Sequence, residues 1–377
     1  MKTGSTAVFT AGFLQGAAFV LIPALGSILR SHPYNLSNGT YGLLYFPEII
    51  GAVIAALAAG SIHKRLAGRG LFRLGVLSNA IAMGLLVLAF FSTQEFLVIL
   101  LLAETFLLGI GFGLTNAAIN RASTLLFAGS ATAAVTILNA VIGGATSISP
   151  MFLHWSAAWL TWVLWPALLL VLWLCTWFLP QAQEPDQERE LGGLRAWKVS
   201  MIPFALAVLI YAICEGSFGS WANILVSVDH HLAKATGAAA LSLFWGGMTI
   251  ARLAFGSLPD RWLSRRWTYR VAPIGMAACF LIIPQLRSAS ELLLFFTLAG
   301  AACGIYYPYS MAFGVARHGE EGTQMAGLMV GALMVGEGIG STGLGPLQSV
   351  VSLDQIYSFS ALWAIPLFWL AWRNSRS

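Results

Sequence analysis

The sequence predicts an all-α membrane protein of twelve transmembrane helices, arranged as two six-helix bundles related by a pseudo-two-fold axis. Three observations carry that expectation. Hydrophobic residues make up 58% of the 377 residues and charged ones only 9%, against roughly 45–50% and 25% in soluble domains. The apolar residues gather into long runs without strand-like alternation, which excludes a β-barrel. A charged, glycine-punctuated turn also occurs once in each half: GSIHKRLAGR from Gly60 to Arg69, and GSLPDRWLSRR from Gly256 to Arg266.

The first half should hold spans near residues 6–30, 39–62, 72–92, 96–120, 130–153 and 158–179. The second should hold spans near 199–227, 236–258, 268–286, 291–316, 322–347 and 353–372. Each is about long enough to cross a ~30 Å hydrocarbon core as a helix, the one open-chain structure that satisfies its own backbone there. The first run is too long for a signal-peptide core and reads as a retained helix. Residues 180–198 form the only sustained polar stretch and read as a solvated cytoplasmic linker between a bundle at 1–179 and a bundle at 199–377.

Charge sets the expected orientation. Of the 20 Lys and Arg, only Arg30, Lys234 and Arg287 fall on the side opposite the termini, and Arg252 lies within a span. The positive-inside rule then places both termini in the cytoplasm, which requires an even number of spans, and makes the cytoplasmic (inner) membrane the location. The net charge of +5 follows from this topology, so no nucleic-acid partner is expected. Cys175, Cys214, Cys279 and Cys303 all fall within spans and read as packing residues. His32, His154, His230 and His231 read as exposed loop residues whose spacing fits no zinc pattern. Met325 and Met329, one turn apart, read as core. No metal or other cofactor is expected, and the lipid bilayer is the main partner of a chain that should act as a monomer.

The halves echo each other beyond the charged turn. GIGFGLTNAAINRAS in span four and GAACGIYYPYSMAFGVAR in span ten both run from small residues through a polar or aromatic cluster to an arginine. Spans five and eleven share a small-residue run ending in Pro150 and Pro346. Small residues allow helices to approach closely in lipid, and such duplication suits two bundles rocking about a central site.

The six-plus-six layout with Gly256, Asp260 and Arg261 after span eight resembles the major facilitator superfamily over essentially the whole chain. In that family the glycine lets helices touch, and the acidic and basic residues hold cytoplasmic contacts. The resemblance therefore implies a cytoplasmic gate at Arg252, Gly256, Asp260 and Arg261, with Arg65 as its counterpart in the first half. There Lys64 stands where the family has an acid, so the first-half copy departs from the pattern. YAICEGSFGSWANILV from Tyr211, GIYYPYSMAFGVAR from Gly304 and the asparagines of span four are similar to the fucose permease branch. That branch uses acids in helices one and four for proton coupling. The matching positions here are Ala17 or Ala18 and Asn116, neither of which titrates, while Asn139 matches the branch's asparagine in helix five.

A charge at the bilayer centre costs roughly 2.5–3.5 kcal/mol on insertion scales, so membrane acids are functional candidates by default. Four occur: Glu48, Glu104, Glu215 and Glu337, none with a basic residue four positions away in its own helix. Glu215 is preferred as the proton-coupling acid, because Tyr211 precedes it by one turn and Gly216, Gly219, Trp221 and Asn223 follow in a stretch able to unwind around a ligand. Glu104 lies twelve residues before Asn116, about 120° around the helix, so it cannot share a cavity with Asn116 and Asn120 unless the helix bends. Asn116, Asn120 and Asn139 offer donors and acceptors, and Tyr211, Trp221, Asn223, Trp245, Tyr306, Tyr307 and Tyr309 add aromatic faces and polar edges for a hydroxylated or aromatic solute.

No phosphate-binding loop is present, so any energy must come from a gradient. The reading is a secondary transporter of a small polar solute, driven by protons, with sodium less favoured. Uptake by symport is favoured over export by antiport of a drug, metabolite or siderophore-like compound. A transporter-shaped receptor without flux is the third reading. No membrane-embedded nucleophile, paired-Asp or His-metal motif points to an enzyme.

Overall fold

Proline places the breaks in this chain. In the computed structural model, which describes residues 4–127, 131–155, 160–180, 198–257, 264–318 and 322–376, the first span is α1 (Ser5–Phe19) followed by α2 (Leu21–Leu29). Pro23 has no N–H to offer the carbonyl of Phe19, and the helix resets at Val20. The second span is α3 (Asn38–Leu43) joined to the start of α4 (Tyr45–Phe90). Pro47 has the same relation to Leu43. The last span is split in the same way: α13 (Leu353–Ser360) and α14 (Ala364–Asn374) flank a 3₁₀ turn at Ala361–Trp363, four residues before Pro366.

The 46 residues of α4 hold the second and third spans, which meet at Ala67. Ala67 has φ 56° and ψ 178°, a region that only glycine enters freely and that costs a side-chain-bearing residue on the order of 1–3 kcal/mol. The first charged turn therefore contains a strained alanine directly before Gly68.

The other helices are α5 (Gln94–Leu126), α6 (Ala131–Trp155), α7 (Leu160–Thr176), α8 (Ile202–Ile224), α9 (Lys234–Ser257), α10 (Arg265–Ile282), α11 (Ala289–His318) and α12 (Gly322–Leu347). Among the described residues ten helical stretches are long and apolar enough to cross a membrane. The remaining two spans are the shorter Trp162–Thr176 and the interrupted α13–α14. Large apolar side chains such as Leu57, Leu88, Ile99 and Ile250 stand exposed along the helices, a surface that hydrocarbon covers and water does not.

The chain divides into two compact units: Met1–Leu25 with Leu44–Gly192, and Gly26–Leu43 with Gly193–Ser377. The linker at 180–198 lies, except for its ends, outside the described residues. In the first unit α1 packs on α6 and α4 on α5; in the second α8 packs on α12 and α9 on α11. These are the same span pairs, one with five and two with four, repeated as seven with eleven and eight with ten.

Glycine makes the second pairing possible in both units. A Cβ on Gly109 of α5 would collide with the Glu48 carbonyl, and one on Gly300 of α11 would collide with the Phe244 carbonyl. Backbones this close gain dispersion contacts that lipid tails cannot match. Met325 and Met329 sit, as expected, in a buried core with Met201, Phe204 and Val208. Cys214, Cys279 and Cys303 are buried, whereas Cys175 is exposed.

Candidate functional site

Within the second unit, α8 supplies Tyr211 and Glu215 one turn apart, on a helix buried on nearly all sides. From α9, the Arg252 guanidinium reaches Glu215, with Nη2 3.5 Å from Oε1. The Glu215 side chain is 7% exposed and that of Arg252 36%, so the carboxylate is sunk and the guanidinium keeps one open side. Arg252, expected at a cytoplasmic gate, forms an ion pair inside its unit. The expectation that Glu215 lacks a basic partner holds only along its own helix.

Tyrosines surround the pair. The Tyr211 ring stacks on Tyr306 (5.5 Å between centroids, 15°) and on Tyr307 (6.4 Å, 12°) of α11. The Tyr211 hydroxyl is buried beside Glu215 and Arg252, outside strict hydrogen-bond geometry with either. Arg252 Nε is likewise buried and without a hydrogen-bond partner among the described residues. Unsatisfied buried donors cost roughly 1–3 kcal/mol each, so they are positions where water or a polar solute is welcome.

Several residues expected to line a ligand are committed to structure instead. Trp221 donates its indole N–H to the Ser341 carbonyl at 2.9 Å. Asn223 accepts the Ser227 hydroxyl at 2.8 Å. Tyr306 donates to the Leu367 carbonyl at 3.0 Å and Tyr309 to that of Phe255 at 3.1 Å. Trp245 is buried against Phe244. The stretch after Glu215 does not unwind either: α8 stays helical to Ile224 and ends in a π-turn at Leu225–Asp229. Of the expected aromatic lining, Tyr211 and the half-buried Tyr307 stand beside the charged pair.

Glu337 is half-buried on α12, and its carbonyl faces Gly216 of α8, where an added Cβ would stand 2.6 Å from it. Gly256 lies near the end of α9. Asp260 and Arg261 lie outside the described residues.

In the first unit, Asn120 donates to the side-chain and backbone oxygens of Asn116 at 2.7 and 2.9 Å. Asn139 is exposed and donates to the Val135 carbonyl at 2.9 Å. Arg65 is exposed near the strained Ala67. Glu104 is fully buried, and α5 runs as one helix, so it stays off the asparagine face. A buried polar cluster that the sequence reading missed joins three helices. Asn79 of α4 donates to Gln15 of α1 and to Thr115 of α5, both at 3.2 Å. One signal was available, since Gln15 and Asn79 are polar residues in the middle of otherwise apolar runs.

At one end of the second unit, His230 Nε2 lies 2.8 Å from Asp354, and Arg287 lies 3.3 Å from the other oxygen of that carboxylate. The His230 side chain is 1% exposed, which corrects its reading as an exposed loop residue. Nearby, Arg30 bonds the Leu36 carbonyl. Burial lowers its pKa, and the Asp229 carboxylate partly offsets this.

A family model for the Major Facilitator Superfamily matches residues 5–346. No curated protein sequence matches the chain. Among solved structures, the inward-open xylose transporter XylE from E. coli is similar with a TM-score of 0.77 at 14% identity, covering 98% of this chain and 95% of that one. The nucleoside transporter NupG is similar at 0.74 and 13%, covering 99% of both. The E. coli fucose:proton symporter FucP is similar at 0.63 and 17%, covering 99% and 98%. At such identities the likeness is one of fold, and that fold is the expected twelve-helix, two-bundle arrangement.

Proposed function

The chain belongs to the major facilitator superfamily, and from that premise we propose that it moves a small polar solute across the cytoplasmic membrane by proton-coupled symport. The observation that carries this reading is the Glu215–Arg252 pair with two unsatisfied donors beside it. With Glu215 ionised the pair is neutral, and the guanidinium is occupied. Protonating Glu215 frees Arg252, whose open side and buried Nε then seek an acceptor oxygen. A hydroxyl or carboxyl group of a solute supplies one.

Solute therefore binds the protonated form better, and by linkage solute binding strengthens proton binding. That sign makes proton and solute travel together. A cationic solute would instead compete with the proton for Glu215 and give antiport. The xylose, nucleoside and fucose carriers of the same fold support a hydroxylated solute. The charge asymmetry of the loops supports cytoplasmic termini.

Flux into proteoliposomes under an imposed pH gradient tests the reading, with monosaccharides, nucleosides, amino acids and cationic drugs as probes. Uptake driven by an inward proton gradient in the wild type, and lost in Glu215→Gln while solute exchange without a gradient persists, is the expected result. Gradient-driven uptake that survives in Glu215→Gln would overturn it.

A further inference from the structure

The first unit holds a second acidic locus that lacks the cation its counterpart has. Glu104 of α5 is 0% exposed, and neither of its oxygens has a hydrogen-bond partner among the described residues. Glu48 of α4 has a buried Oε1 in the same condition. The charge of Glu104 reaches Glu48. Gly109, five residues along α5 from Glu104, brings that helix against the Glu48 carbonyl, so the two acids sit within about two turns of each other along the helix pair.

Among the described residues, the elements packed on α4 and α5 bring no other charged group to this locus. The packed elements α1 and α7 contain no Asp, Glu, Lys, Arg or His, and the only such residue of α6 is His154. On α5 itself Glu95 is about 13 Å and Arg121 about 25 Å away along the helix axis, and the first ionisable side chain further along α4, His63, is about 22 Å away.

The helix pair does not need these acids to pack. In the second unit the same contact is made by Gly300 against the Phe244 carbonyl, so Phe244 stands where Glu48 does. Five residues before Gly300, Phe295 stands where Glu104 does. Duplication has thus placed aromatic rings in one unit and two carboxyls in the other at one structural position.

Two carboxylates this close, without a cation and out of water, cannot both ionise. We propose that Glu48 and Glu104 form one proton-binding site in the first unit, always holding at least one proton and exchanging a second. Glu48 lies in the first turn of α4, where the helix end favours negative charge, so the exchanging proton leaves from Glu48. The use of this site in transport rests on the proton-coupled reading above; the proton binding itself does not.

Infrared spectroscopy of the full-length protein in lipid reads the protonated-carboxyl C=O band directly and requires no solute. The wild type should keep such a band at neutral pH and gain a second step on acidification, because a coupled pair titrates in two stages. Glu48→Gln and Glu104→Gln should each lose one of the two steps, their double variant both, and Glu215→Gln neither. Both steps persisting in the single variants would overturn the site, as would a band that sodium removes at fixed pH, which would mark a metal-cation site instead. Because Glu215→Gln is read separately, failure of the symport reading leaves this result intact.

Discussion

Arg252 of α9 stands 3.5 Å from Glu215 of α8, one charge sunk and the other half open. Removing one member of a buried pair strands the other at about 3–5 kcal/mol, whereas removing both often costs little. Arg252→Met should therefore lower the thermal unfolding temperature more than the Glu215→Gln/Arg252→Met double variant does. A double-variant loss equal to the sum of the two single-variant losses would mean that the pair is not coupled. The exposure of Arg252 places the expected cost toward the lower end of that range.

The glycines divide into two groups by what a methyl would meet. Gly109→Ala and Gly300→Ala should each destabilise by about 1–3 kcal/mol, because the added carbon meets backbone that cannot step aside. Gly84 and Gly144 have nothing within 4 Å of the same position. Their alanine variants should be neutral or stabilised by up to about 1 kcal/mol through the helical preference of alanine. Unfolding curves of the purified variants in one detergent check the contrast, and uniform effects across all four would refute it.

Ala67 gives the opposite sign. Its conformation suits glycine alone, so Ala67→Gly should raise stability by about 1–3 kcal/mol, and Ala67→Val should lower it. A destabilised Ala67→Gly would show that the turn does not hold this conformation.

The long apolar runs made the spans legible in the sequence, and proline four residues downstream marks where Phe19 and Leu43 end their helices and where Leu362 sits in a 3₁₀ turn. The charge pair was only half legible. Glu215 stood out as an acid in a span, but its partner is 37 residues away on another helix, beyond any local spacing rule. Arg252 carried its own signal as the one Lys or Arg placed inside a span, since a buried base requires an acid. Trp221 and Tyr306 misled for a different reason. Their polar edges looked available because their acceptors, the carbonyls of Ser341 and Leu367, belong to backbone, and every residue has one.

The outer polar contacts are weak individually. Asp354→Asn should release His230 and Arg287 at a cost of no more than about 1 kcal/mol, because Arg287 is 60% exposed and screened. The difference from wild type should shrink in molar salt. A salt-independent loss would point to the buried His230 contact as the larger part.

Residues 26–43 interrupt the first half of the sequence yet fold with the second unit, where Tyr41 donates to the Ser220 carbonyl at 3.0 Å and meets Trp221 edge-on at 5.1 Å. The polypeptide thus changes unit three times, although its duplication has one seam. Fragments produced by cutting at that seam would not be self-sufficient: 193–377 alone would expose the surface around Trp221 and Gly345, and the missing cover would be carried on the other fragment. Split halves of this protein should therefore be recovered only when made together, each acting as the other's folding partner.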